Sequence, residues 1–426
     1  MVLSTSKRTN DTVVISLLYF LYRVILDTTY IMWIHPIYGY GGFPLRIDNY
    51  KILISYIVLF ILIMIIPKTS NKVSYMILQL HFLITVVPFM SVYAFGGYST
   101  TFFLMLVICF ILEIVALRIL SSRNFCLKTM KVVIPKQLPL LAFVIYSTVV
   151  YFYLYKTQGI HFKAIDLRQI YDIRSEISIS IDIMKYLITW QFRIINPYLF
   201  VISLVRKNYK LLLTVSILQV LMYFMYPHKE IFLSVALLLF SVYIARKRMR
   251  FDLSLLALLS SLTFLNALIY KGTGNLIPFA LVPTRLLFVP AENKFLHYEF
   301  FKYHEKLYYS EGLIGKVLGL RYPYDVPSGY LVGGTSNANV GYLAYAYDNA
   351  GFVGMILISL LFVILLLGID LISEKKDKRL IFSLLVYPMI ILNDGDLLTL
   401  LLTGGLFLLI LMLLFSKKFV VDKDVK

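Results

Sequence analysis

The chain has 426 residues, 60% of them hydrophobic and only 15% charged, with a formal net charge of +18. Its mean hydropathy is +0.81, and an average soluble domain carries roughly 25% charged residues, so this composition excludes a soluble globular protein and describes a polytopic membrane protein. The basic excess fits cytoplasmic loops that set orientation and gives no reason to expect nucleic acid as a partner.

The start, MVLSTSKRTND, is polar, and the apolar run after it is long enough to span rather than to form the short core of a cleaved signal. At roughly 20 mostly apolar residues per crossing, the sequence predicts about twelve spans. They are 12–34, 51–67, 73–94, 100–119, 137–155, 184–205, 211–227, 230–245, 252–270, 341–370, 380–393 and 397–416. The expected fold is all-α, a single integral membrane domain over 1–426. Cys109 lies in an apolar run and Cys126 in a basic connector, which supports no disulfide framework.

The connectors alternate in charge. One set carries Lys68 and Lys72, then Arg118 and Arg123, then Arg206, Lys207 and Lys210, the cluster Arg246 to Arg250, and Lys375 to Arg379. The opposite connectors at 95–99 and 393–397 hold neither Lys nor Arg. This asymmetry predicts cytoplasmic termini and three longer outer segments. The first, His35 to Tyr50, is rich in Gly, Pro and Tyr, with Asp48 as its one acid. The second, 156–183, opens with KTQGIHFKAIDLRQIYDIRSEI and reads as an amphipathic helix on the membrane surface, with Arg168 and Asp172 one turn apart. The third, 271–340, is a polar loop leading into a further span. Ten tyrosines between Tyr298 and Tyr347 are the wrong composition for disorder, so it is expected to fold into a cap that carries much of the site.

Charges inside apolar runs are costly unless paired or facing water. Arg23 and Asp27, at i and i+4, can pair along the first span. Lys185 and Arg193 precede Asn196 and Pro197, and Arg193 is expected to face an outward cavity. Pro227, His228, Lys229 and Glu230 form a tight outer turn suited either to an anionic headgroup or to plain solvation.

No phosphate loop, HExxH, paired CxxC or GxSxG elbow is present, and no outer Asp-x-Asp pair stands ready for a divalent cation. The expected chemistry is therefore metal-independent and needs no cofactor. Arg168, Arg174, Arg285 and Arg321 lie among tyrosines instead. Guanidinium binds phosphate bidentately, and phenol rings suit sugar faces and hydroxyls, a combination that fits a phosphate-linked glycan.

At this point the residues resemble a family. Arg285-Leu-Leu-Phe-Val-Pro290, His297-Tyr-Glu-Phe-Phe301, Asn339-Val-Gly341, Ala344-Tyr-Ala346 and Asn349-Ala-Gly351-Phe-Val-Gly354, with Asp166-Leu-Arg168 upstream, look like Wzy-type O-antigen and capsular oligosaccharide repeat-unit polymerases. The resemblance implies a GT-C-like membrane glycosyltransferase of the bacterial inner membrane, with its site on the periplasmic side. Such enzymes move a growing glycan from undecaprenyl pyrophosphate onto a new lipid-linked repeat unit, among membrane lipids and alongside a chain-length regulator protein. Carried over, Arg285 and Arg321 hold or release the pyrophosphate with help from Arg168. The base stays open among His297, Glu299, Asp166 and Asp348. Arg174, Arg193, His228, Lys229, Tyr298, Tyr303, Asn339 and Tyr345 are the expected substrate contacts. An O-antigen ligase shares this architecture, and a lipid-linked glycan flippase is the non-enzymatic alternative. A transporter built on inverted repeats is not indicated, since no repeat is evident.

Overall fold

The computed structural model describes residues 2–69, 71–122, 137–165, 173, 177–334 and 337–416, with all side chains but those of 2–12, 137–140, 164, 165, 229 and 313. Among the described residues the chain is all-helical, with 79% helix and no strand. Six helices are long and apolar enough to cross a membrane: Val13–Gly41, Val73–Gly96, Thr100–Ser121, Asp182–Val205, Phe251–Thr273 and Tyr342–Ser373. The protein is therefore membrane-embedded. Asn49–Ile65, Leu141–Thr157, Tyr209–Met225 and Leu406–Phe415 are shorter apolar helices.

Local chemistry explains where these helices begin and bend. Asp48 caps Asn49–Ile65, its carboxylate accepting from the Tyr50 amide at 2.9 Å, and Asn208 caps Tyr209–Met225 through the Leu211 amide at 3.1 Å. The wide π-helical stretches Tyr30–Ile34, Phe82–Val86, Gln191–Ile195 and Ala280–Phe288 each end two residues before a proline: Pro36, Pro88, Pro197 and Pro290. Proline has no N–H to give, and its ring collides with the carbonyl four residues back. Opening the preceding turn relieves that collision.

The described helices fall into two compact units. The first comprises 1–124, 249–368 and 389–397. At its centre is Val73–Gly96, 94% of whose apolar window is buried. Phe295 is sandwiched there between Phe89 and Tyr98, with ring centroids 4.3 and 4.7 Å away. Thr100–Ser121 packs Phe102, Phe103, Leu106 and Phe110 inward and leaves Leu104, Ile108, Val115 and Ile119 exposed, as a helix between protein and lipid must. Arg23 and Asp27 do pair, at 2.6 Å, and Ser55 and Tyr56 complete the set, at 3.1 and 2.7 Å.

The second unit comprises 125–248, 369–388 and 398–426. Val150, Leu154, Ile188, Phe192 and Met222 form its apolar core. A buried amide network runs through it: Gln191 donates to Asn196 at 2.7 Å, and Asn196 donates to Tyr151 and Gln219 at 3.0 and 2.7 Å. The apolar run 397–416 is not one helix. It breaks before Gly405, whose backbone is left-handed (φ 82°) and packs against Trp190.

Candidate functional site

The region 271–340 is built around a helix, Val289–Phe301. Glu292, Lys294 and His297 on it are all buried, at 3%, 1% and 1% exposure. Each ties the helix to a different, distant segment.

Glu292 faces the segment His35 to Tyr50 at Gly42. Its Oε1 is 2.7 Å from the Tyr98 hydroxyl, which is also 3.0 Å from the Gly42 carbonyl. The Tyr98 hydroxyl has one proton to share between these two acceptors. Burial pushes the Glu292 carboxyl up to about 8, with the Tyr98 hydrogen bond pulling the other way. Gly42 sits at φ 115°, and a Cβ there would crowd Glu292 Oε1 at 3.2 Å.

Among the described residues Lys294 has only neutral acceptors: the Pro290 carbonyl at 2.9 Å, the Asn393 carbonyl at 2.8 Å and Asn393 Oδ1 at 3.1 Å. Burial pushes its amine down to about 7, with Asp394 pulling weakly the other way. Asn393 then donates to the carbonyl of Leu286, at 2.9 Å, so this buried lysine braces the backbone beside Arg285. Gly341 is there for contact distance. A Cβ on it would lie 2.6 Å from the Asn393 carbonyl and 2.8 Å from that of Leu392.

His297 Nε2 is 2.8 Å from the Ala338 carbonyl, so that nitrogen carries hydrogen, and Nδ1 is 2.6 Å from Asp348 Oδ2. Burial opposes the charged ring, but the Asp348 carboxylate and the Ala338 carbonyl outweigh it and raise the imidazole. The result is a buried histidine–carboxyl pair with both ring nitrogens engaged. Asp348 Oδ1 is buried and bonds to no described residue. Beside the pair, Lys306 lies 3.6 Å over the Tyr347 ring and donates to the Phe301 carbonyl at 2.9 Å, with burial pushing its amine down to about 8.

The arginines are arranged differently. Arg285 follows a backbone break at Val282 (φ −138°) and is exposed. Arg321 is exposed on the turn after Gly319. Neither forms an ion pair among the described residues. Reading the first outer segment for its tyrosines and Asp48 missed a third, Arg46, which is exposed and lies against Gly97 where a Cβ would meet its Cδ at 2.6 Å. An arginine directly after GGFPL was the available signal.

Glu299 and Tyr303 are exposed, and the Asn339 side chain is exposed while its carbonyl accepts from Asn293 at 2.8 Å. Tyr345 is half-buried. Tyr298 is a core ring, stacked on Phe102 at 4.6 Å. All of these belong to the first unit. In the second, Arg193 bonds Glu230 at 2.7 Å, Tyr387 donates to the same carboxylate at 2.9 Å, and His228 stacks on Tyr226 at 4.1 Å. Asp166, Arg168, Arg174 and the Lys229 side chain lie outside the described residues. Nothing matches the chain in comparisons with protein-family models, with curated proteins or with solved structures.

Proposed function

We propose that the protein polymerises undecaprenyl-pyrophosphate-linked oligosaccharide repeat units for O-antigen, capsule or exopolysaccharide, as a metal-independent membrane glycosyltransferase. The observation that carries this reading is that Arg285 and Arg321 are exposed and without an acid partner among the described residues. They flank a helix whose Glu292, Lys294 and His297 side chains are buried and hydrogen-bonded. A guanidinium held free of carboxylates among tyrosines has its planar fork open to a phosphate oxygen pair.

In this reading the shorter apolar runs join the six long helices to give about twelve crossings, with both termini cytoplasmic and 271–340 forming a GT-C-like cap on the periplasmic side of the inner membrane. An acceptor hydroxyl on the new repeat unit attacks the anomeric carbon of the donor. The bond to pyrophosphate breaks, and the leaving group takes the electron pair. Arg285 and Arg321 meet that growing charge, the kind of fixed electrostatic contact that lowers a barrier most.

Glycan length tests the reading. Cells lacking the gene are expected to carry single repeat units on their surface glycolipid, and a plasmid copy is expected to restore the full ladder on a gel. An unchanged ladder in the deletion strain rules the polymerase out.

A further inference from the structure

The acceptor hydroxyl must lose a proton; of the groups first considered for that task Asp166 lies outside the described residues, Glu299 is exposed, and the other two are badly placed. His297 has both ring nitrogens engaged, and Asp348 is fully buried. We propose that His304, resting on the polymerase reading above, is the general base that takes this proton.

His304 stands exposed just beyond the end of Val289–Phe301. Its Nδ1 is 2.7 Å from the Phe300 carbonyl. A carbonyl only accepts, so Nδ1 carries the hydrogen and the neutral ring leaves Nε2 as a bare acceptor. No described residue bonds Nε2. The ring is also stacked on Phe300, with centroids 4.0 Å apart and planes 4° from parallel. Hydrogen bond and ring face together fix the direction of the Nε2 lone pair. A base steered by a third group through its far nitrogen is the arrangement that proton abstraction from a hydroxyl requires.

The surroundings suit a sugar. Phe300 lies 6.3 Å from Tyr324, which lies 6.0 Å from Tyr322, and Arg321 directly precedes Tyr322. His304 thus stands at one end of an aromatic row whose far member, Tyr322, directly follows Arg321, which forms no ion pair among the described residues. Sugar faces can rest on the tyrosines while the arginine reaches a phosphate. The charged neighbours in sequence are Lys302, Glu305 and Lys306 on its own segment, with Arg321 and Asp325 on the facing one. None of them bonds the ring.

The step balances. The acceptor oxygen forms its bond to the anomeric carbon as the carbon–oxygen bond to pyrophosphate breaks. The hydroxyl proton passes to His304 Nε2, giving an imidazolium that later returns it to water.

The competing role is a helix cap, since Nδ1–H closes a last-turn carbonyl. Replacing His304 by Asn keeps a donor near the Nδ1 position but cannot take a proton, whereas His304→Ala loses both functions. Purified protein in nanodiscs, given lipid-linked repeat units, is expected to melt normally as His304→Asn yet polymerise about 100-fold or more slowly, without the acid limb of the wild-type pH–rate profile. His304→Asn running at the wild-type rate with the acid limb retained makes His304 a cap only and overturns the proposal. Wild-type protein gives a readout that needs no variant: a profile flat down to about pH 5 also overturns the base. A deletion strain with an intact glycan ladder overturns the polymerase reading and this proposal together, which separates that failure from the other two.

Discussion

His297 Nδ1 lies 2.6 Å from Asp348 Oδ2, across 51 residues of sequence, and neither side chain reaches the surface. With Nε2 donating to the Ala338 carbonyl, the contact holds one shared proton and locks Val289–Phe301 to the start of Tyr342–Ser373. Breaking a buried pair by removing one partner leaves the other uncompensated, at a typical cost of about 3–5 kcal/mol. His297→Ala is therefore expected to lower the melting temperature in detergent sharply and to reduce protein abundance, instead of yielding a stable but inactive protein. The pH dependence has a definite sign. The folded imidazole is raised, so its stabilisation is complete below an ordinary imidazole value of about 6.5 and is lost as pH rises through the folded value. Melting curves on either side of neutrality, compared with His297→Gln, read it directly.

Lys294 should show the opposite slope. Burial pushes its amine down to about 7, against about 10.4 for a free lysine. Between those values the unfolded chain binds the extra proton, so stability contributed at this site rises with pH, by on the order of 5 kcal/mol across the full window. Lys294→Met is expected to abolish that rise. It is also expected to strand the Asn393 carbonyl and side-chain oxygen that Lys294 holds, lowering stability at pH 9 more than at pH 6. A variant whose melting temperature keeps the wild-type slope would show that another group titrates there.

These two residues also show what the sequence could and could not tell. Apolar runs were legible because span length and hydropathy are local properties: 73–94 became Val73–Gly96, and 100–119 became Thr100–Ser121. The helix Val289–Phe301 was not, since Glu292, Lys294 and His297 interrupt its apolar residues and are satisfied by Tyr98, Asn393 and Asp348. Those partners come from 51 to 194 residues away, and periodicity carries no such information. The same limit hid His304, whose ring is set by Phe300 nearby but whose aromatic row needs Tyr322 and Tyr324. Arg285 and Arg321 were legible as arginines among tyrosines, and the described residues give neither an ion pair.

Gly341 gives a steric prediction. The Asn393 and Leu392 carbonyls that a Cβ would strike are backbone atoms, and neither can swing aside as a side-chain tip can. Lys294 additionally pins the Asn393 carbonyl. Gly341→Ala is expected to cost about 1–3 kcal/mol, the range for overpacking a tight interior, and to disturb the backbone of Leu286 that Asn393 supports. The check is the melting temperature together with the glycan ladder. An alanine variant as stable as wild type would mean that this turn has slack.

Arg285 is the sharpest test of the proposed chemistry because its side chain is exposed and forms no ion pair among the described residues. Surface substitutions of that kind usually change stability by less than about 0.5 kcal/mol, so function and fold can be separated here as they cannot at His297. If the guanidinium meets the charge that grows on the departing pyrophosphate, losing it removes a contact made mainly in the transition state. That typically costs on the order of 3 kcal/mol, a hundredfold or more in rate. Lysine retains the charge but not the planar fork that grips two oxygens at once, so Arg285→Lys is expected to be badly impaired along with Arg285→Ala. Both strains should hold normal amounts of protein while their surface glycolipid carries single repeat units. A full-length ladder from Arg285→Ala at wild-type abundance would reduce this residue to an anchor and move the burden of the pyrophosphate to Arg321 and Arg46.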